Sequence, residues 1–231
     1  MLRKAALSLA AAILVASALP AAAQNVVLNP SFEAPVLADG AVQQNFVAGW
    51  SGTVSGANNY GILRNPSLIV AQDGSNLAFI NVDPGQTKGL VQTLGAVSAG
   101  ERYDASAWFG WRTDNANVAN VAIQLWLGGS VVGGDISGGA LVASNAPSLV
   151  QGAWVQGTTT YTASPVQAGQ VLRIRLATTS AGGAQTNFDD VRVSRTAPEP
   201  VPTMTEWAMI LFGTIMAGGA ALYIQRRRQS V

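Results

Sequence analysis

Few side chains in this 231-residue chain can do chemistry, and the missing ones constrain it most. There are 12 acidic and 13 basic residues, with no histidine and no cysteine. That removes the usual general base, the serine and cysteine triads, and zinc sites built on imidazole or thiolate. A metal would have to be held by oxygen, which points to calcium. Asp104 and Asp114 are isolated carboxylates. Asp189 and Asp190 are adjacent on an expected strand, so they point to opposite faces and cannot flank one glycosidic bond. With so few acid–base options the sequence reads as non-catalytic. The other chemically useful groups are flat rings: Trp50, Tyr60, Trp108, Trp111 and Trp126. Such rings cover the apolar face of a sugar. Alternation sets Trp108 opposite Phe109, and Trp126 opposite Leu125 and Leu127. Each ring alone fits a core position better, but as a group one or two are expected to line a ligand surface.

The elements that must carry these residues read as strands. Residues 25–28, 67–70, 77–82, 88–94, 102–111, 118–127, 153–161, 171–177 and 188–194 are apolar or alternating runs. Turn signals such as Asn29-Pro30, Asp73-Gly74 and Gly128-Gly129 separate them. Residues 133–139 read as a glycine loop. No helical pattern of 10–15 residues lies between the strands, which argues against an alternating α/β architecture. The pattern predicts an all-β fold, an antiparallel β-sandwich of jelly-roll type. If Val191 and Val193 face its core, Asp189 points inward and Asp190 outward.

The two ends are of another kind. Arg3 and Lys4, an apolar stretch over 5–19, and Ala21-Ala22-Ala23 form a secretory signal peptide over 1–23. Residues 208–224 are apolar and long enough to cross a bilayer, with Arg226, Arg227 and Arg228 behind them. By the positive-inside rule those arginines stay cytoplasmic and the body faces outward. Five of the thirteen basic residues lie in these ends, which leaves the body negatively charged overall. It has no basic patch, which excludes a nucleic-acid partner. An exported domain without cysteine is held by its core or by metal. The expected organisation is a signal peptide (1–23), a sandwich (24–195), a proline-rich stalk and motif (196–206), a transmembrane helix (207–225) and a basic tail (226–231).

Two resemblances add to this reading. Val201-Pro202-Thr203-Met204-Thr205-Glu206-Trp207, then an apolar helix, then the three arginines resembles the IPTL-CTERM sorting tail of Gram-negative bacteria, kin to PEP-CTERM signals. Pro202, Thr203, Glu206 and Trp207 match its pattern directly, and Val201, Met204 and Thr205 are conservative changes. The resemblance implies export, transient anchoring in the inner membrane, processing by an exosortase-like enzyme, and delivery to the cell surface or extracellular matrix. The body resembles galactose-binding-like jelly rolls of carbohydrate-binding modules. It carries Asn29-Pro30-Ser31-Phe32-Glu33 and Gly49-Trp50 at its start, Trp154 late, and Asn187-Phe188-Asp189-Asp190-Val191 in its last strand. This implies a structural calcium ion held by Glu33 and Asp189, and Asp73 could contribute from its turn. It also implies non-catalytic binding to extracellular polysaccharide or, as an alternative, a structural matrix or adhesion role with no small ligand. A glycoside hydrolase ranks behind both.

Overall fold

The computed structural model describes residues 24–52, 60–64, 68–198 and 204–229. The signal segment 1–23 and motif residues 201–203 lie outside these. The chain divides into two units, 1–197 and 198–231.

The first unit is the expected sandwich. One sheet has seven strands: β1 (Gln24–Asn25), β2 (Val42–Gln44), β4 (Tyr60–Arg64), β5 (Asn76–Val82), β7 (Arg102–Trp111), β10 (Trp154–Thr162) and β12 (Ala184–Thr196). Their order is β10-β7-β12-β5-β4-β2. β5 pairs with the first half of β12 and β1 with its far end. The second sheet holds β3 (Ser51–Gly52), β6 (Thr87–Ala96), β11 (Val171–Thr179), β8 (Asn120–Val132) and β9 (Asp135–Asn145). Its order is β3-β6-β11-β8-β9, and the ladders within both sheets are antiparallel.

Period-two alternation builds the core. Tyr103, Ala105, Ala107 and Phe109 of β7 face Val121, Ile123, Leu125 and Leu127 of β8 across the sandwich. Phe188, Val191 and Val193 of β12 complete the layer. Phe109 and Phe188 meet edge to face, their centroids 5.6 Å apart.

The sequence reading departs from this structure in two places. Residues 133–139 are a hairpin rather than a loop. Gly133, at φ 60°, makes the tight turn between Val132 and Asp135, and β9 runs on past the later glycines. Residues 68–70, expected as a strand, belong instead to a loop over 68–75 that lies on the outer face of the seven-stranded sheet. Ile69 is buried there at the cost of strand pairing.

The second unit is α1 (Met204–Gln229), with Arg226, Arg227 and Arg228 in its last turn. Its span Trp207–Gln229 contains an 18-residue window with a mean hydropathy of 1.7, long and apolar enough to cross a membrane.

Candidate active site

The candidate site lies where β5, β12 and β7 run side by side. Phe188 faces the core, so its neighbours Asn187 and Asp189 face away from it. Across the ladders Asn187 stands between Phe79 and Gly110, and Asp189 opposite Trp108. Phe79 and Trp108 alternate with the core residues Ala78, Ile80, Ala107 and Phe109, which puts both on the same outer face.

This corrects the expected direction of Asp189. Val191 and Val193 do face the core, but the β12 register shifts between Asp189 and Arg192, and Asp190 has φ 42°. One extra residue in a bulge flips the parity before it, so Asp189 shares a face with Asn187 rather than with the valines.

An outer face would normally be wet. Here the 68–75 loop covers it, and both Asn187 and Asp189 are completely buried. Trp154 donates its Nε1–H to the Val70 carbonyl at 2.7 Å and so ties the loop to β10. Gly110 makes the close approach possible: a Cβ there would lie 2.6 Å from Ile69 Cδ1 and 2.9 Å from Trp154 Cζ3. The lining is therefore apolar and aromatic, with Phe79 beside the two polar residues and Ile69 and Trp154 above Gly110.

Two carboxylates fix the loop. Asp189 Oδ2 accepts the backbone N–H of Gln72 at 2.7 Å and of Asp73 at 3.0 Å, and Oδ1 accepts that of Asp190 at 2.7 Å. Glu33 Oε1 accepts the N–H groups of Ser75 and Asn76, both at 2.7 Å. Ser31 donates to Asp73 Oδ2 at 2.6 Å. Burial pushes the Asp189 carboxyl up to about 7 against the pull of its three amide hydrogen bonds, and the negative charge of Asp73 adds to the rise. Asp104 and Asp114 go the other way, held below the ordinary range by hydrogen bonds from Arg102 and Arg112. Burial works to raise Glu101 but is outweighed by hydrogen bonds from Tyr103 and Ser98 and by Arg195, so it too is lowered.

Glu33 and Asp189 thus both accept amides of the loop that carries Asp73. As folded, backbone hydrogens occupy both Asp189 oxygens and one Glu33 oxygen, and the described residues contain no group of three acidic, histidine or cysteine side chains placed to hold a metal ion. This arrangement does not fit a calcium ion.

The five expected ligand aromatics do not gather. Trp50 and Tyr60 are core residues, 7% and 8% exposed, which corrects their reading as surface platforms. Trp50 packs 5.8 Å from Phe32, and the Tyr60 ring fills the space above Gly52. Trp108 lies on the outer face next to Asp189. Trp111 ends β7 with its Nε1–H on the Asn115 carbonyl. Trp126 lies on the outer face of the other sheet, its Nε1–H on Gln124. The groups the sequence reading missed are Asn187, Phe79, Ile69 and the roof position of Trp154. Asn187 alone was signalled, by its spacing of two from Asp189.

The model of the HpiC1-like family, described as HpiC1 cyclase, matches residues 23–194. No curated protein sequence matches this chain. Among solved structures, the Stig cyclase FisC from Fischerella sp. TAU, in complex with (3Z)-3-(1-methyl-2-pyrrolidinylidene)-3H-indole, is 20% identical with a TM-score of 0.62, over 75% of this chain and 97% of its own. The apo form of a cyclase from Fischerella sp. is 21% identical with a TM-score of 0.61, over 75% and 96%. These likenesses show a shared fold. TmCBM61 in complex with β-1,4-galactotriose is 17% identical with a TM-score of 0.46, over 74% of this chain and 97% of its own. The family match overturns two expectations, that the domain is not an enzyme and that it is a non-catalytic carbohydrate-binding or matrix module. Lack of histidine and cysteine does not exclude an enzyme, because carboxyl groups also serve as general acids. The chain belongs to the HpiC1-like family, the family of HpiC1 cyclase.

Proposed function

We propose that the sandwich is a cyclase-type enzyme that closes a ring by proton transfer from Asp189. The observation that carries this reading is a fully buried carboxyl, raised to about 7 by burial, on an aromatic-lined sheet face beneath a single loop. A general acid works best with a pKa near the operating pH, and burial supplies that here. The substrate class is an apolar, ring-bearing alkene. The aromatic lining supports it, as does the indole-bearing ligand of FisC.

The chemistry balances without a co-reactant. Asp189 gives its proton to one alkene carbon, the π electrons form the C–H bond, and the other carbon becomes cationic. A π bond elsewhere in the substrate attacks that carbon and closes the ring. The Asp189 carboxylate then takes a proton from the attacking carbon, so the product is an isomer of the substrate. Phe79, Trp108 and Trp154 exclude water that would otherwise trap the cation. The 68–75 loop must part to admit substrate, and its hydrogen bonds to Asp189 make loop and acid one unit. The first test is conversion of 3-prenylindole to an isomer by the full chain, with loss of at least a hundredfold in Asp189→Asn. Conversion at an unchanged rate in that variant refutes the acid role.

The ends give this enzyme an address. The signal-like N-terminus and the Pro202-to-Arg228 tail support an exported protein anchored by its C-terminal helix and handed to an exosortase-like processing enzyme. Fractionation of cells making the full chain tests this: membrane association lost on deleting 204–231 supports the anchor, and unchanged association refutes it.

A further inference from the structure

Asn187 is completely buried, and among the described residues neither its Oδ1 nor its Nδ2 has a hydrogen-bond partner. A carboxamide can donate two hydrogen bonds and accept two. Leaving such groups unpaired in the interior is costly. The described residues around it offer nothing in return. The cross-strand neighbours are Phe79 and Gly110, one apolar and the other without a side chain. Ile69 and Trp154, the roof above Gly110, are apolar at the atoms that approach it, Cδ1 and Cζ3. Asp189, two residues on and on the same face, spends its oxygens on Gln72, Asp73 and Asp190.

An unpaired amide between an aromatic ring and a bare glycine, beside an acid, has the form of a recognition group. We infer that Asn187 reads the polar edge of the substrate, accepting from a ring N–H through Oδ1 and donating to an adjacent oxygen through Nδ2. The substrate class this selects is a planar bicycle with a secondary-amide edge, whose flat face lies along Phe79 and under Trp154. This rests on the acid-site reading above and adds the substrate's recognition edge. Asn187 is on this account a specificity residue that orients the ring against Asp189.

Three bicycles of similar shape separate the possibilities: oxindole (N–H and C=O), indole (N–H alone) and indene (neither). Their dissociation constants are measured on the full chain in detergent. The expected order is oxindole, indole, indene, with at least tenfold between the first and the last. Asn187→Leu is expected to bring all three within twofold while keeping indene binding. The variant is not expected to lose stability, because replacing an unpaired buried amide with an apolar group of similar size is neutral or favourable. In the unaltered protein the Asn187 side-chain NH₂ resonances should shift with oxindole and not with indene, which reads the contact without any substitution. Indene binding with no preference for oxindole, or a preference that survives Asn187→Leu, overturns the inference and leaves the acid site standing. Failure of all three to bind overturns both.

Discussion

Asp189 and Glu33 hold one loop from its two sides. Asp189 takes the amides of Gln72 and Asp73, and Glu33 takes those of Ser75 and Asn76, so four amides in a five-residue stretch end on two carboxylates. Gly74 lies between them at φ 69°, and a Cβ there would be 2.3 Å from Glu33 Oε1. The first and last segments of the sandwich thereby set the position of the cover over the candidate site. If Asp189 is the acid as proposed, its role as latch couples proton transfer to the state of that cover.

Glu33→Ala removes the acceptor of two amides and is expected to cost roughly 3–6 kcal/mol, since hydrogen bonds to charged groups contribute about 1.5–3 each. Glu33→Gln keeps an oxygen in place and should cost less than half as much. Urea unfolding of the three proteins checks this, and equal stability of Ala and Gln would mean that the two amides are satisfied by water.

Asp189 also sets a pH dependence of stability. Its folded pKa, about 7, is raised above the unfolded value near 4, so between these the native state binds more protons than the unfolded one. Its contribution is therefore least unfavourable below the unfolded pKa, falls as pH rises from about 4 to about 7, and is flat above. The difference in unfolding free energy between Asp189→Asn and the parent should grow through that window, by an amount on the order of 3–4 kcal/mol. Taking the difference removes the opposite dependence of Asp104 and Glu101, whose carboxyls are lowered. A difference that stays constant from pH 4 to 8 would show that Asp189 titrates normally.

Calcium is testable independently. With backbone amides on Glu33 and Asp189, restoring calcium after chelation is expected to leave the melting temperature unchanged. A ligand at ~100 times its dissociation constant would add about 2.7 kcal/mol, so a bound ion would be plain in the melt. A rise abolished by Glu33→Ala would mean that the three carboxylates regroup around the ion and release the loop amides.

Gly110→Ala puts a methyl group where Ile69 and Trp154 now sit. Overpacking of this kind costs roughly 1–3 kcal/mol, and it should act by lifting the loop. Amide exchange at Gln72 and Asp73 is then expected to quicken more than exchange in the core strands. Equal acceleration throughout would place the damage in the sheet instead.

Much of this fold was legible in the sequence, because alternation over 102–111, 118–127 and 171–177 is unambiguous and turn residues bound it. The resemblance at Phe32-Glu33 and Phe188-Asp189 singled out Glu33 and Asp189, but as calcium ligands rather than as acceptors of loop amides. The side of the sheet on which Asp189 lies was not legible. A bulge at Asp190 leaves the hydrophobic pattern intact on both sides and changes only the parity between them. Nor was the cover: Ile69 reads as part of a strand until the bare face at Gly110 is seen beneath it. The expectation of a non-enzyme failed for a related reason. Composition says which side chains exist, and burial decides what an ordinary aspartate can do.

The most direct test of the acid role is solvent deuterium uptake. The full chain and its Asp189→Asn variant are incubated with 3-prenylindole in D₂O, and the product is weighed and its deuterium located. The account predicts an isomeric product from the parent protein, with one deuterium on the former alkene carbon, and no enzymatic product from the variant. An isomer formed without deuterium at that carbon, formed equally by the variant, or not formed at all would contradict it.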